Sequence, residues 1–239
     1  MASVFLVRVL VSLIMGLVLG YLIATLLESA LHRYIKHWGP YGRSIWKRYP
    51  LLSLLFMRAY YSHSIVHHGL TYTHDIVTQF NNKEHKQRVD RKLCGHFGEL
   101  VRQETYGLSL TGWGIFAFNI PIIPFVPIIG AFLGPWVLVG ALPGLIAYSS
   151  VTKYLHPYLH QRYEIAIVEA PPIIRRILAT RYMKISAQNH YMHHQYLNCN
   201  YNLLLGGDYL LGHYRPPSTK DYENMRRIGL ETYPDRGER

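Results

Sequence analysis

Histidine is the residue type in this chain whose number and spacing best support chemistry. The sequence contains 14 histidines. Ten of them lie in four short clusters: His32 and His37 in "ESALHRYIKH"; His63, His67 and His68 in "YSHSIVHHG"; His156 and His160 in "YLHPYLHQ"; and His190, His193 and His194 in "NHYMHHQ". Crowded imidazoles need hydrogen-bond partners when they are neutral and repel one another when they are protonated. A bound cation removes this conflict, so the clusters predict a metal site.

Helical geometry groups most of these rings into ligand sets. Residues three or four apart share a helix face, so His63 with His67, and His156 with His160, can hold one ion together. The last cluster forms a patch of three rings. Ten imidazoles exceed the four ligands of a structural zinc site and the three of a catalytic one. The sequence therefore predicts two metals, each with four or five nitrogen ligands.

Two spacings leave the assignment of ligands open. His68 lies a quarter turn from the line through His63 and His67, from where it can reach a second ion. His32 and His37 are five residues apart, which does not place them on one face of a straight α-helix. Either the helix ends between them or they serve different ions. Imidazole suits Zn, Cu, Fe and Ni, so the ligand type alone does not select the metal.

Two long uncharged runs indicate a membrane protein. Only 16% of the residues are charged, against about a quarter in ordinary soluble domains. The run Val9–Leu27 has 19 residues and the run Tyr106–Thr152 has 47. A crossing needs roughly 20 apolar residues, so the first run fits one crossing and the second fits two. The first run exceeds the core of a cleaved signal peptide and leads into a histidine cluster, which favours a retained helix.

Prolines divide the second run into a predicted transmembrane hairpin. The breaking residues are Pro121, Pro124, Pro127 and Gly130. The chain is then predicted to be all-α: a single domain over residues 1–239 that is an integral membrane helical protein with a cytosolic helical cap. Its expected parts are a first transmembrane helix at about 4–30, the hairpin at about 107–152, a cytosolic histidine-bearing cap formed by 31–106 and 153–215, and a polar, loosely ordered tail at 216–239.

The placement of positive charge predicts the orientation in the membrane. Net charge is +11. Twelve Lys and Arg lie between Glu28 and Tyr106 and twelve after Thr152, which leaves only Arg8 elsewhere. By the positive-inside rule, both polar segments are cytosolic and face anionic headgroups. No motif or basic-aromatic module for nucleic acid is present, and two cysteines give no disulfide framework.

The order and spacing of the clusters resemble a known family. The motifs are H-x4-H in "HRYIKH", H-x3-H-H in "HSIVHH", H-x3-H in "HPYLH" and H-x2-H-H in "HYMHH", with a hydrophobic hairpin between the second and third. Together with the closing segment "NYNLLLGGDYLLGHYR", they are similar to the fatty acid hydroxylase / sterol desaturase superfamily of membrane-bound di-iron oxygenases. The resemblance extends from Glu28 to about Tyr214. Two departures are His213, where the family more often has Thr, and the lack of a fused haem domain.

The resemblance implies an activity, cofactors and partners. It implies two iron ions held by the ten clustered histidines, with O2 as co-substrate; zinc accepts the same ligands. The implied reaction is hydroxylation of a C–H bond in a lipid or other hydrophobic substrate at the cytosolic side, and desaturation by the same centre is the alternative. No nicotinamide or flavin motif is present, so an electron-transfer protein and its reductase must act in trans.

A membrane metal-binding or transport protein is the alternative from another class. Transporters place ionisable ligands within their spans near the midplane. Both long apolar runs here lack His, Asp and Glu, which counts against transport.

Two carboxylates are candidates for supporting the metal ligands. Glu28 lies one helical turn before His32 and can orient that ring by accepting its second N–H; the alternative is an interfacial Glu paired with Arg33 or Lys36. Asp208 is likewise a candidate to support a metal ligand, and the alternative is that it belongs to a structural turn. Among the remaining histidines, His85 and His96 are interpreted as solvated surface, whereas His74 and His213 stay open.

Overall fold

A computed structural model describes residues 2–37, 44–45, 47–49 and 56–230, with Trp113 described by its backbone only. The described residues form helices joined by loops, and no strand occurs among them. The predicted all-α class is confirmed to that extent. Residues 38–43, 46 and 50–55 of the predicted cap, and 231–239 of the predicted tail, lie outside the described part.

The α-helices follow the chain in this order: α1 Ala2–Leu31, α2 Lys83–Lys92, α3 Gly95–Gln103, α4 Trp113–Asn119, α5 Phe125–Leu133, α6 Pro135–Ser150, α7 His156–Leu159, α8 Tyr163–Glu169, α9 Pro172–Leu178, α10 Arg181–Gln195, α11 Gly207–Leu210 and α12 Thr219–Arg227. Residues 56–60 are also helical. Three π-helical segments complete the set: π1 His32–Lys36, π2 Tyr61–His67 and π3 Val151–Leu155. Each π segment continues an α-helix or leads into one, and each contains or adjoins clustered histidines.

In the described part of the chain, two helices are long and apolar enough to cross a membrane. They are Ala2–Lys36, which joins α1 to π1, and Pro135–Leu159, which joins α6, π3 and α7. Side chains of the first helix, from Val4 to Val18, are largely exposed although they are large and apolar. Apolar surface of this extent is unusual on a soluble monomer.

The third predicted crossing differs from the expectation. Two short helices, α4 and α5, occupy the residues before α6, and they have 7 and 9 residues. At 1.5 Å per residue they are about 10 and 14 Å long, less than half of the roughly 30 Å of a hydrocarbon core. Pro121 and Pro124 end the first of them in a turn, and Gly134, with φ +92°, reverses the chain into α6.

Small residues bring α1 and α6 into close contact. A Cβ added at Gly20 would overlap the backbone of Ala141 on α6, and one at Gly140 would overlap the backbone of Leu13 on α1. Glycines four residues apart occur on both helices, as Gly-x3-Gly in "GLVLG" and "GALPG". Such spacing allows helices to pack backbone to backbone in membranes. The contact fixes the end of α1 beside the end of α6, where the histidines begin.

The described part of the tail is ordered, which corrects the expectation for 216–230. The helix α12 begins with a capping box in which Ser218 and Asp221 bond each other's backbone N–H. Met225 and Leu230 are buried, and they pack with Met192 of α10 in a small hydrophobic cluster. The tail therefore braces the helix that carries the last histidine cluster.

Candidate metal centre

All ten clustered histidines converge at one place, eight of them in two adjacent groups. In each group the ligand nitrogens lie within 4.8 Å of one another. Group A is His32, His37, His63 and His193; group B is His67, His160, His190 and His194. His63, His67 and His68 form a third set that links the two groups, and His156 adjoins group B. The arrangement can hold more than one metal ion.

The π segments explain the spacings that the sequence left open. In a π-helix the N–H of one residue bonds the carbonyl five residues earlier, so residues five apart lie above one another. The His37 N–H bonds the His32 carbonyl at 3.1 Å, and the His68 N–H bonds the His63 carbonyl at 3.0 Å. The helix does not end between His32 and His37 but continues with the wider π turn. The two rings therefore lie on one side of the helix and belong to one group.

Group A is centred on His63. Its Nε2 lies 2.6 Å from Nε2 of His32 and 3.1 Å from Nε2 of both His37 and His68. A further contact of 3.0 Å joins Nε2 of His37 to Nε2 of His193. One ring nitrogen carries at most one hydrogen, so hydrogen bonding alone does not satisfy three close nitrogens.

Group B is centred on His190. Its Nε2 lies 2.7 Å from Nε2 of His160 and 3.1 Å from Nε2 of His156, and these two atoms are 3.2 Å apart. On the other side, Nε2 of His67 is 3.2 Å from Nε2 of His194. Two nitrogens bound at about 2.1 Å to one ion, and at about 90° to one another, lie about 3.0 Å apart. Most of the observed separations match that value.

Backbone carbonyls determine the tautomer of four rings. In each ring Nδ1 faces a carbonyl oxygen: His32 to Tyr201 at 2.5 Å, His156 to Leu108 at 2.8 Å, His160 to Ile76 at 2.8 Å and His193 to Cys199 at 2.9 Å. A carbonyl only accepts, so Nδ1 carries the hydrogen in all four. The neutral ring then has a lone pair on Nε2, which is the atom that faces the other histidines. Metal-binding histidines commonly have this second hydrogen bond.

His156 and His160 make the need for a cation explicit. Both rings have Nδ1 bound to carbonyls, so both Nε2 atoms, 3.2 Å apart, present lone pairs to each other. Nε2 of His190 carries at most one hydrogen, so it can donate a hydrogen bond to Nε2 of His156 or of His160 but not to both. Burial, followed by repulsion from His156, holds the pKa of His160 well below its ordinary value, so a shared proton is disfavoured at neutral pH. A metal ion satisfies both lone pairs.

The surrounding protein keeps the rings neutral and available as ligands. Burial lowers the pKa of His37 to about 2, with further lowering from His193 and Lys36. Burial also lowers the pKa of His193 to about 4, although the bond from its ring to the Cys199 carbonyl opposes the shift. Metal ligands must be deprotonated. In addition, Nδ1 of His67 is buried and has no hydrogen-bond partner within the described part of the chain.

Glu28 lies beside the centre but does not bond His32 directly. Its Oε2 accepts hydrogen bonds from the Asn202 side chain at 3.0 Å and from the Leu204 N–H at 2.8 Å. The side chain is 4% exposed. These bonds hold the segment that carries the Tyr201 carbonyl, which in turn orients His32. Glu28 thus supports the ring through the backbone, by a different route from the one expected from its position one turn before His32.

Asp208 supports the same segment from its other end. One carboxylate oxygen accepts from the Ser29 hydroxyl at 2.7 Å, and the other accepts from the Asn202 N–H at 2.7 Å. Ser29 in turn accepts from Nδ1 of His213 at 2.9 Å, because its only hydrogen is donated to Asp208. Asp208 bonds none of the clustered rings. Together with Glu28, it fixes the segment 201–208 against α1.

The remaining histidines lie outside the two groups. His74 and His96 are exposed, and His213 is buried in the Ser29 and Asp208 network. The interpretation of His85 as solvated surface is wrong. Its ring is half-buried, donates from Nε2 to the Leu70 carbonyl at 2.9 Å, and accepts at Nδ1 from the backbone of Asn81.

Sequence reasoning missed the aromatic neighbours of both groups. The Tyr72 ring packs 4.3 Å from the ring of His160 and 5.2 Å from that of His67. The Tyr201 ring lies 5.4 Å from that of His193. Tyr72 also has an unusual left-handed backbone, with φ +51°. With 20 tyrosines in the chain, composition gave no signal to single these two out.

Comparison of the chain with family models, curated proteins and solved structures gives no match. The membership of the fatty acid hydroxylase / sterol desaturase superfamily therefore stays a prediction.

Proposed function

We propose that the chain binds two metal ions, one in each histidine group. His68 is assigned to group A because its Nε2 is 3.1 Å from that of His63, and His156 to group B because its Nε2 is 3.1 Å from that of His190. Each ion then has five candidate nitrogen ligands. The observation that carries the proposal is the His156–His160 pair, in which two carbonyl-bound rings turn their lone pairs toward one point.

We propose that the metal is iron and that the protein is a membrane-bound oxygenase similar to the fatty acid hydroxylase / sterol desaturase superfamily. Four ordered histidine motifs support this proposal, as does a ligand set built only from nitrogen. Zinc accepts the same donors and competes for the site during purification. Bound iron would supply the activation of O2. The chain itself orients four of the ten rings through backbone carbonyls, and the buried carboxylates Glu28 and Asp208 hold the segment that carries one of these carbonyls. Burial largely excludes water from the rings.

The proposed reaction is hydroxylation of a C–H bond in a lipid or other hydrophobic substrate. One oxygen atom of O2 enters the C–H bond, and the other leaves as water, which takes two electrons and two protons. A separate electron-transfer protein and its reductase supply the electrons, because the chain contains no nicotinamide or flavin motif. A basic surface suits an acidic carrier. Desaturation requires the same centre, and product analysis separates the two reactions.

The proposed location is a membrane, crossed more than once, with the centre at the cytosolic side. Two long apolar helices and the exposed apolar side chains of α1 support insertion. The histidines gather at the ends of these helices, where π1 and α7 begin with His32 and His156. This location contrasts with the midplane ligands of transporters. Twelve Lys and Arg on each of the two polar segments favour the cytosolic side.

Metal analysis of histidine variants tests the metal centre. Purified wild-type protein is expected to carry two transition-metal ions per chain. Single changes to alanine at His156 or His160 should lower the metal content by about one ion per chain, whereas the matched changes at the exposed His74 and His96 should leave it unchanged. A single ion at full occupancy in the wild type, or equal metal content in all variants, would refute the two-metal proposal.

Lipid profiling tests the reaction. A host that expresses the chain should form oxidised lipid only when oxygen is present, and the single changes His190→Ala, His193→Ala and His194→Ala should reduce the product to background. Product must be compared per amount of membrane-inserted protein, so that poor expression is not mistaken for lost chemistry. The variant His96→Ala serves as the matched control. Product that forms equally in all variants, or without oxygen, contradicts oxygenase activity.

A further inference from the structure

The two helices that follow the third histidine cluster expose large aliphatic side chains. Val168 of α8 is 75% exposed and Ile173 of α9 is 72% exposed. Ile165 lies one turn before Val168, and Ile177 lies one turn after Ile173, so these four side chains form an outer strip along both helices. A helix pair that faces water normally has polar side chains on its outer side. The opposite sides of the two helices are buried in the main hydrophobic core through Ala166, Ala170 and Leu178.

The two membrane-length helices run parallel, which relates heights along one helix to heights along the other. A Cβ added at Gly16 would overlap the carbonyl of Val137, and one added at Gly20 would overlap the carbonyl of Ala141. Both steps are four residues in the same direction, so the helices advance together. The segment π3, which begins ten residues after Ala141, therefore lies at about the height of Ala30, ten residues after Gly20.

The outer strip lies beside this point. The helix α9 packs against π3, and the height of Ala30 is just beyond the first uncharged run, Val9–Leu27. Tyr154 of π3 is exposed, and the Lys153 ammonium lies 4.8 Å from the centre of its ring. Exposed tyrosine and lysine at the end of an apolar helix are typical of the boundary between membrane and water. The helices α8 and α9 are therefore at the height where a bilayer would end.

A second apolar surface lies at a similar height on a separate segment. This end patch consists of the exposed side chains of Tyr209, Leu210 and Leu211. The helix α11 packs so closely on α1 that a Cβ added at Gly207 would overlap the carbonyl of Thr25. Thr25 belongs to the uncharged run of α1, so the end patch lies beside the last apolar turns of that helix. Two unconnected segments thus expose apolar side chains beside the ends of both membrane-length helices.

Basic side chains accompany the outer strip. Residues 162–181 contain four arginines and two glutamates. Arg175 donates to the carbonyls of Val168 and Ala170 at 3.4 and 3.3 Å, which closes the turn between α8 and α9. Arg176 is exposed on α9. Apolar side chains next to arginines are typical of helices that lie in the plane of the membrane interface, where the arginines meet lipid phosphates.

We infer that α8, α9 and the end patch lie in the cytosolic leaflet, with the outer strip among the acyl chains just below the headgroups. The inference rests on the proposed membrane location, and it requires neither bound metal nor oxygenase activity. Helices of this kind bury their apolar side about 5–10 Å into the interface. The helix α9 leads directly into α10, which carries the last histidine cluster. Contact with the leaflet therefore fixes the height of α10, and the cap is partly embedded instead of standing in water above the membrane.

Depth-resolved quenching of a nitrobenzoxadiazole label tests this placement. The full chain is used in nanodiscs of phosphatidylcholine and phosphatidylglycerol. The background variant is Cys94→Ser, because Cys94 is exposed whereas Cys199 is buried. The label is attached to the single variants Val168→Cys, Ile173→Cys and Leu210→Cys. The quenchers are iodide in the water and phosphatidylcholine with a doxyl group either near the headgroup or near the end of the acyl chain.

The expected pattern differs between the test positions and two controls. At a depth of about 5–10 Å, the three test labels should be quenched about threefold more by the shallow doxyl lipid than a label at Lys92→Cys, and correspondingly less by iodide. Lys92 is an exposed lysine of α2 and is the control for water. Val18, exposed on α1 about 15 Å before the end of the uncharged run, is the control for the membrane interior. A label at Val18→Cys should respond most to the deep doxyl lipid.

The controls separate failure of this inference from failure of the membrane location. If the Val18 label responds to lipid but the Val168 and Ile173 labels are quenched by iodide as strongly as the Lys92 label, the embedded placement is overturned. Protection from iodide without quenching by lipid assigns the outer strip to a protein partner and also overturns the proposal. A Val18 label that does not respond to lipid refutes the membrane location itself, and the inference falls with it.

Cross-linking of the unsubstituted chain keeps the test decisive if a cysteine variant does not fold. Phosphatidylcholine with a diazirine near the headgroup end of its acyl chain is activated by light in the same nanodiscs, and the modified peptides are identified by mass spectrometry. Peptides that contain residues 163–178 and 207–211 should carry lipid. Cross-links confined to α1 and α6 would overturn the placement of the cap in the leaflet.

Discussion

Replacing Glu28 by leucine should weaken the binding of one metal ion and leave the binding of the other unchanged. Oε2 of Glu28 accepts from the Asn202 side chain and from the Leu204 N–H, both of which are buried. Leucine leaves two buried donors unpaired, at about 1–3 kcal/mol each. The segment 201–204 is then expected to move away from α1, together with the Tyr201 carbonyl that orients His32.

The expected size of the effect follows from the role of that carbonyl. Loss of a partner that orients a metal ligand typically lowers metal affinity by about 10–100-fold, which is roughly 1.4–2.7 kcal/mol. Group B should be unaffected, because its carbonyls belong to Leu108 and Ile76, in segments that Glu28 does not bond. Glu28→Gln should retain both ions, since an amide oxygen can accept the same two hydrogen bonds.

Metal content after dialysis against a graded series of chelators measures this difference. Wild-type and Glu28→Gln protein should release two ions at similar chelator strengths, whereas Glu28→Leu should release one ion at a chelator strength about 10–100-fold lower. Glu99→Leu, at an exposed carboxylate, controls for the loss of charge. If Glu28→Leu releases both ions together, or neither ion more easily, the route from Glu28 through the backbone to His32 is refuted.

Three further outcomes follow from the structure. Burial lowers the pKa of His193 to about 4 in the folded protein, against about 6.5 in the unfolded chain. Between these pH values the unfolded chain takes up a proton that the folded protein does not, so the melting temperature of metal-free protein should fall as the pH drops from about 6.5 to about 4. A melting temperature that does not change over this pH range contradicts the prediction. Gly140→Leu should overlap the backbone of α1 and lower the melting temperature in nanodiscs, at a cost of about 1–3 kcal/mol or more, whereas Val139→Leu, at an exposed position, should not. Ser218→Ala removes the cap of α12 and should cost about 1 kcal/mol, seen as about fivefold faster hydrogen exchange in its first turn; unchanged exchange would assign the stability of this turn to the packing of Met225 instead.

Residue type and spacing were sufficient to find the ligand candidates. A crowd of imidazoles has few explanations other than a bound cation, which is why the ten clustered histidines were selected as ligand candidates. In the structure all ten lie in or beside the two groups. The backbone partners were not predictable, since any residue can provide the carbonyls of Leu108, Ile76, Cys199 and Tyr201. Those carbonyls depend on where distant loops lie, which no local pattern encodes.

Two further features of the fold were not predictable, for similar physical reasons. Length and the breaking prolines suggested a hairpin of two crossings in residues 106–152, whereas the structure has only short helices before α6, delimited by Pro121, Pro124 and Gly134. The number of crossings stays a prediction. The half-buried position of His85 depends on a bond to Leu70, 15 residues away. The close packing of α1 and α6 was also not predicted, although the Gly-x3-Gly pairs that allow it are a local pattern of the sequence.

The π segments have a consequence for how the histidine motifs evolve and can be copied. A π turn accommodates one residue more than an α turn, so it is the form that a single-residue insertion takes within a helix. Deleting one residue between His32 and His37 would restore the α ladder and leave the two histidines four residues apart, again on one helix face. Five residues at the α pitch of about 100° per residue would instead place the second ring about 140° around the axis from the first. The five-residue spacing is therefore meaningful only together with the wide turn that contains it. A designer who grafts "HRYIK" and the following histidine onto a regular helix would transfer the side chains without the geometry that brings them together.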